Sequence, residues 1–313
     1  MNGTLGQRNL RDILRDTFTI YGRNFWRFVA IVSIVAVPSA VVGFIVNMLF
    51  PIYGEGMTGA LSNAIISIPL GLVVFAASIL MAGAVIHAVS EQHFNQPVSI
   101  GRAYSFAWHR LGAMFWAVVL YVLAISGIFL AAMLAAILIS VIVSVTTGGI
   151  SDWLTAFAIA GPIVLVVAPA AIYLGIIWNF MVQTALLEGC GPTSALSRSA
   201  SLVKGNWWRV LGIILLLLTI VSIIGIILYM PAMMGTISET TAGFIPYAAT
   251  EPPNWVIAWT TIGGLIGNII CVPFFTIGET LLYFDLRLRK QGYSLDALAN
   301  ELGPRSGSTN TTT

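Results

Sequence analysis

The chain has 313 residues, of which 8% are charged and 58% hydrophobic, with a formal net charge of +2 and a mean hydropathy of +0.93. A water-soluble globule carries about 25% charged residues and a disordered chain needs low hydrophobicity with high net charge, so both classes are excluded. Nucleic-acid binding needs a clustered basic face on a strongly basic domain, which this balance does not supply.

The first 27 residues are polar and amphipathic: Leu10, Leu14, Phe18, Tyr21 and Phe25 share one helical face, and Arg8, Arg11, Asp12 and Arg15 cover the other. Because this polar segment precedes an apolar run too long for a signal h-region, a cleaved leader is not expected. A spanning helix needs about 20 mainly apolar residues. Six runs meet that length, at 28–50, 61–89, 112–146, 154–187, 210–236 and 255–283. The third and fourth exceed it and have room to tilt, continue past the bilayer or absorb a break.

Between runs two and three, Ile100, Ala103, Tyr104, Ala107 and Leu111 repeat at helical spacing behind Ser99 as a candidate N-cap. Between runs four and five, Leu196, Ala200, Val203 and Trp207 do the same after Pro192. These segments are expected to lie as amphipathic helices in the membrane interface. After the sixth run, Leu295, Leu298 and Leu302 form a short amphipathic stretch ended by Gly303-Pro304, and residues 304–313 have nothing to bury and are expected to be a disordered tail.

Lys and Arg are retained on the cytoplasmic side of short loops. All fourteen of them precede run one, follow run six, or lie between runs two and three or four and five. The intervening loops hold only Glu55, Asp152, Glu239 and Glu251. The expectation is an all-α, polytopic plasma-membrane helix bundle: six transmembrane helices in three hairpins, with cytoplasmic interfacial amphipathic helices and both termini cytoplasmic.

Tyr21-Gly22-Arg23-Asn24-Phe25-Trp26-Arg27-Phe28 matches Val203-Lys204-Gly205-Asn206-Trp207-Trp208-Arg209-Val210 at an offset of 182 residues, and Trp108-His109-Arg110-Leu111-Gly112 sits near half that offset as a degenerate copy. An interfacial helix followed by a two-span hairpin, used three times over 8–89, 98–187 and 193–285 within a membrane domain of residues 1–303, is the organisation this implies. Units of even span number repeat in the same orientation.

The same stretches carry a family resemblance. Ala195-Leu196-Ser197-Arg198-Ser199 and Leu202-Val203-Lys204-Gly205 ahead of Asn206-Trp207-Trp208-Arg209, together with Leu282-Tyr283-Phe284-Asp285-Leu286-Arg287-Leu288-Arg289-Lys290-Gln291-Gly292-Tyr293, resemble the membrane domain of glycerophosphoryl diester phosphodiesterases. In that family the six-span domain is found fused to a catalytic barrel or alone. A barrel needs about 200 or more residues and a cluster of His and carboxylates, and the segments outside the six runs provide neither. The resemblance therefore implies a non-catalytic, stand-alone membrane module with membrane lipids as partners, and any phosphodiester chemistry supplied by a separate enzyme or transporter subunit.

Candidate site residues follow from chemistry at membrane depth. Arg27, Arg209 and Lys204 beside Trp26 and Trp208 suit phosphate headgroups, or serve as topology anchors. Glu279, Asn268 and Asn179 are the intramembrane polar candidates: Glu279 either reaches a cytoplasmic cation such as Arg287 or takes part in transport, and the two asparagines either glue helices together or line a path. Pro38, Pro69, Pro162, Pro169 and Pro273 fall inside the runs, where they kink helices or open a cavity. His87, His93, His109, Cys190 and Cys271 have neither metal-ligand nor redox spacing, so no metal and no cofactor is expected. Two functions remain open: a non-catalytic module that organises lipids or partner proteins, and a transporter or flippase for a lipid or a glycerophosphodiester-like solute.

Overall fold

A computed structural model of the chain describes residues 10–49, 56–93, 98–146, 153–240 and 254–291. The C-terminal amphipathic stretch and tail, and the acidic loop residues Glu55, Asp152 and Glu251, lie outside that set. The described residues form nine helices: α1 Leu10–Arg23, α2 Phe25–Leu49, α3 Gly56–His93, α4 Ile100–Thr146, α5 Trp153–Ile177, α6 Met181–Leu187, α7 Pro192–Val203, α8 Trp207–Thr240 and α9 Asn254–Gln291. Among them there is no strand. Six apolar segments are long enough to cross a membrane, at Phe25–Val46, Ala64–Gln92, Ile100–Val143, Gly161–Leu187, Trp207–Met234 and Asn254–Lys290. The protein is an all-α, polytopic membrane helix bundle.

Two compact units emerge, one of residues Met1–Trp108 with Ile214–Thr313 and one of His109–Ile213. In the first, α2 packs against α3 and α9, and α1 and α3 also pack on α9. Its fully buried residues include Ile13, Phe28, Ile31, Ala84, Val85, Ile277 and Leu281 to Tyr283. In the second, α6 and α5 pack on α7, and the core is built from Phe180, Ala185, Leu186, Ala195, Leu202 and Val203. Burial thus gathers beside the amphipathic segments. Long apolar stretches elsewhere stay exposed, including Leu123, Phe129, Leu134 and Leu138 on α4, as expected of helices whose solvent is lipid.

The interfacial helices differ from expectation in two ways. The buried stripe of α1 is Ile13 and Thr17, with Leu10 and Phe18 exposed; that of α7 is Ala195, Ser199, Leu202 and Val203. Each is rotated by about one residue from the apolar stripe read in the sequence. Such a helix has two surfaces to satisfy, and Thr17, Ala195 and Ser199 take places on the protein side where the sequence periodicity put larger apolar residues. Second, residues 100–111 are not a separate helix. They open α4, which runs unbroken for 47 residues, about 70 Å at 1.5 Å per residue against a hydrocarbon layer of about 30 Å.

The difference between α4 and the other two corners is local chemistry. At the α1/α2 corner the Asn24 carbonyl accepts the N–H of Arg27 at 3.0 Å and of Phe28 at 3.1 Å. At the α7/α8 corner Gly205 takes φ +90° and the Asn206 carbonyl accepts the Val210 N–H at 3.0 Å. Asparagine competes for backbone partners and favours helix starts. The corresponding stretch of α4 has Met114 and continues.

The fourth apolar run does break. α5 ends at Ile177, and Trp178 to Phe180 form a tight turn before α6. Ser199 of α7 stitches it: its Oγ accepts the Phe180 N–H at 3.1 Å and donates to the Ile177 carbonyl at 2.8 Å. Thr184 Oγ1, shared with the Met181 carbonyl at 3.0 Å, reaches the Ala195 carbonyl at 3.1 Å and adds a link between α6 and α7. Small residues allow equally close approach in the first unit. A Cβ on Gly263 would lie 3.2 Å from the Leu228 carbonyl, which also accepts Trp259 Nε1–H at 2.9 Å.

Candidate functional site

The α1/α2 corner opens into a cleft of about 670 Å³ lined by Gly22, Arg23, Asn24, Phe25, Trp26, Arg27 and Gln92. The chain turns there because Asn24 ends one helix and starts the next, so Arg23 and Arg27 reach the cleft from two different helices. Asn24 is buried and its Oδ1 accepts a hydrogen bond from Arg27 Nη1 at 3.2 Å, which orients the guanidinium and leaves its remaining donors for a ligand. Trp26 is 78% exposed and meets Phe25 edge-on at 5.3 Å. Tyr21 anchors the corner to α9 by donating to the Ile270 carbonyl at 3.1 Å. Burial pushes its hydroxyl up to about 12, so it stays a donor throughout the physiological range.

The α7/α8 corner repeats part of this arrangement. Trp208 is 79% exposed and packs edge-on against Trp207 at 4.8 Å, Lys204 is exposed at the end of α7, and Arg209 is half-buried. A third aromatic–Trp pair, Phe115 with Trp116, lies on α4 at 5.9 Å with the same edge-on geometry and Trp116 57% exposed. The register is informative. Leu111-Gly112-Ala113-Met114-Phe115-Trp116-Ala117-Val118 falls 90 residues after Tyr21–Phe28, and Ile13 and Thr17, Ala103 and Ala107, and Ala195 and Ser199 are all fully buried at matching positions. The α4 stretch comparable with the corners is therefore 111–118, three residues beyond the Trp108–Gly112 alignment, and in place of asparagine and arginine it has Met114 and Ala117.

A second set of residues escaped the sequence reading. Glu91, Glu188 and Asp285 are spaced by 97 residues each, near the ends of α3, α6 and the buried part of α9. Each meets an arginine Nε: Glu91 Oε1 with Arg102 at 3.3 Å, Glu188 Oε2 with Arg198 at 2.7 Å, and Asp285 Oδ2 with Arg289 at 2.9 Å. The side chains of Glu91 and Asp285 are 7% and 3% exposed. Glu91 Oε2 also accepts the Ser99 N–H at 3.2 Å, tying the end of α3 to the start of α4. The constant spacing was the available signal; it was obscured because three acids 97 residues apart match no short motif.

Of the candidates named from sequence, Trp26 and Arg27 come together in the cleft, joined by Arg23 and Asn24 of the repeated stretch, which had not been assigned a site role, and by Gln92, which the sequence did not single out. Lys204, Trp208 and Arg209 belong to the α7/α8 corner. Asn179 is half-buried in the turn between α5 and α6, and Glu279 is half-buried on α9. Asn268 is exposed on α9, with Nδ2 donating to the Gly264 carbonyl at 2.9 Å. Among the described residues, no three His, Cys, Asp or Glu side chains gather in a metal-holding group. Comparison with protein-family models, with characterised proteins and with solved structures gives no match.

Proposed function

We propose that this protein is a non-catalytic module of the plasma membrane that holds anionic lipid headgroups at its basic face, taken as cytoplasmic with both termini, and so organises lipids or a partner enzyme or transporter there. The observation that carries this reading is the α1/α2 cleft, where two guanidinium groups, an oriented asparagine and an exposed tryptophan converge in about 670 Å³. Arginine matches phosphate geometry, tryptophan sits at headgroup level, and basic residues near an anionic leaflet contribute about 1 kcal/mol each. The resemblance to the membrane domain of glycerophosphoryl diester phosphodiesterases agrees with a role beside phosphodiester lipids.

The test is lipid retention by the purified full chain in nanodiscs of phosphatidylcholine with a minor fraction of phosphatidylglycerol, read by native mass spectrometry. Wild type should retain phosphatidylglycerol preferentially, and Arg23→Ala with Arg27→Ala should lower that preference about 30-fold, the product of two contributions of about 1 kcal/mol. An unchanged preference in the folded double variant overturns the reading. The transport alternative places the function on the kinked helices with Asn268 and Glu279, neither of which lines this cleft; Glu279→Gln should leave headgroup retention intact.

A further inference from the structure

In the first unit, α2, α3 and α9 enclose a second cleft of about 390 Å³, lined among others by Ser39, Ser78, Thr260, Thr261 and Asn268. These residues belong to three apolar spanning segments. Ser39 lies 13 residues beyond Trp26, about 20 Å along the helix axis, so the cleft sits within the hydrocarbon layer and far from the headgroup cleft. Its size is that of a small-molecule pocket. No ionisable side chain lines it.

The hydrogen bonds decide what the lining offers. Ser78 Oγ donates to the Phe75 carbonyl at 2.7 Å, Thr260 and Thr261 Oγ1 both donate to the Ile257 carbonyl at 2.9 Å, and Asn268 Nδ2 donates to the Gly264 carbonyl at 2.9 Å. The hydroxyl protons of Ser78, Thr260 and Thr261 are thereby directed into their own helices, and their oxygens keep acceptor capacity. Asn268 Oδ1 adds a carbonyl acceptor. A lining rich in acceptors and free of charge recognises an uncharged donor, because an ion drawn to this depth would forfeit its hydration with no counter-charge to offset the loss.

We infer that this cleft binds the free hydroxyl of an uncharged lipid alcohol of the diacylglycerol type, admitted from the bilayer with its chains against the surrounding apolar surface. The hydroxyl donates its one proton to one of these acceptors, Asn268 Oδ1 or a threonine oxygen, and the glycerol backbone lies beside Gly43, whose missing side chain leaves open space.

The experiment uses the full chain in phosphatidylcholine nanodiscs with a photoactivatable diacylglycerol, the labelled segment being found by peptide mass spectrometry. Labelling on α9 should be competed by unlabelled diacylglycerol, and about tenfold less well by the same lipid with its hydroxyl acetylated, one lost hydrogen bond being worth about that factor. Asn268→Leu with Thr261→Val should lower labelling by a similar or larger factor, while Arg23→Ala with Arg27→Ala should not change it. Equal competition by the acetylated lipid overturns the inference, as does equal competition by phosphatidic acid. Since the competition is run on wild type, poor folding of the variant does not blunt it.

Discussion

Ser199→Ala tests the packing that holds the second unit together. The hydroxyl is fully buried, accepts the Phe180 N–H at 3.1 Å and donates to the Ile177 carbonyl at 2.8 Å. Phe180 follows the end of α5, where the turn leaves its N–H pointing out of the helical ladder, and Phe180 is itself fully buried. Alanine removes both partners and opens a space the size of one oxygen, too small to admit a water molecule. A buried donor left unsatisfied costs about 1–3 kcal/mol, and the carbonyl loses its partner as well, so the expected loss is about 2–4 kcal/mol. The comparison is Thr19→Ala, whose exposed hydroxyl donates only within its own helix, to the Arg15 carbonyl at 2.7 Å; it should cost less than about 0.5 kcal/mol. Reversible unfolding in mixed micelles, followed by circular dichroism, reads both. If Ser199→Ala matches Thr19→Ala to within about 0.5 kcal/mol, the stitch across the α5/α6 break does not hold this unit together and the argument from released backbone groups fails.

Further outcomes follow from the same geometry. Gly189 has φ +67° and its Cβ position lies 2.8 Å from Arg110 Nη1, the group that donates to the Leu186 carbonyl at 2.7 Å; Gly189→Ala should destabilise by about 1–3 kcal/mol in the same unfolding assay. Gly278→Ala would put a methyl 2.7 Å from both δ carbons of fully buried Leu217, and should cost about 1–3 kcal/mol through overpacking; pairing it with Leu217→Ala should recover part of the loss. Arg289→Ala should destabilise more than Arg102→Ala, because Arg289 is 16% exposed and Arg102 57% exposed and solvent screens the more exposed pair. Equal effects would show that burial does not set the strength of these ion pairs.

Composition alone determined the class of this protein. A chain with 8% charge and six apolar runs has no soluble solution, because backbone groups in lipid must be satisfied within helices. The spans were legible for the same reason, and so was the Asn-aromatic-Trp-Arg motif, since Trp26, Arg27, Trp208 and Arg209 are neighbours in sequence. What remained hidden depends on distance along the chain. The rotated stripe of α1, with Thr17 inward and Phe18 outward, follows from which helix packs against it, and periodicity does not distinguish a protein-facing surface from a lipid-facing one. The continuity of α4 turned on Met114 standing where Asn24 and Asn206 open the helices that follow them. Gln92 joins the α1/α2 cleft from the end of α3, and Asn268 shares a cleft with Ser39 and Ser78 only because α2, α3 and α9 pack together. Hydropathy marked the six apolar helices, while tertiary packing decided which polar groups share a cleft, because that choice is made between segments far apart in sequence, 69 residues for Arg23 and Gln92 and 229 for Ser39 and Asn268.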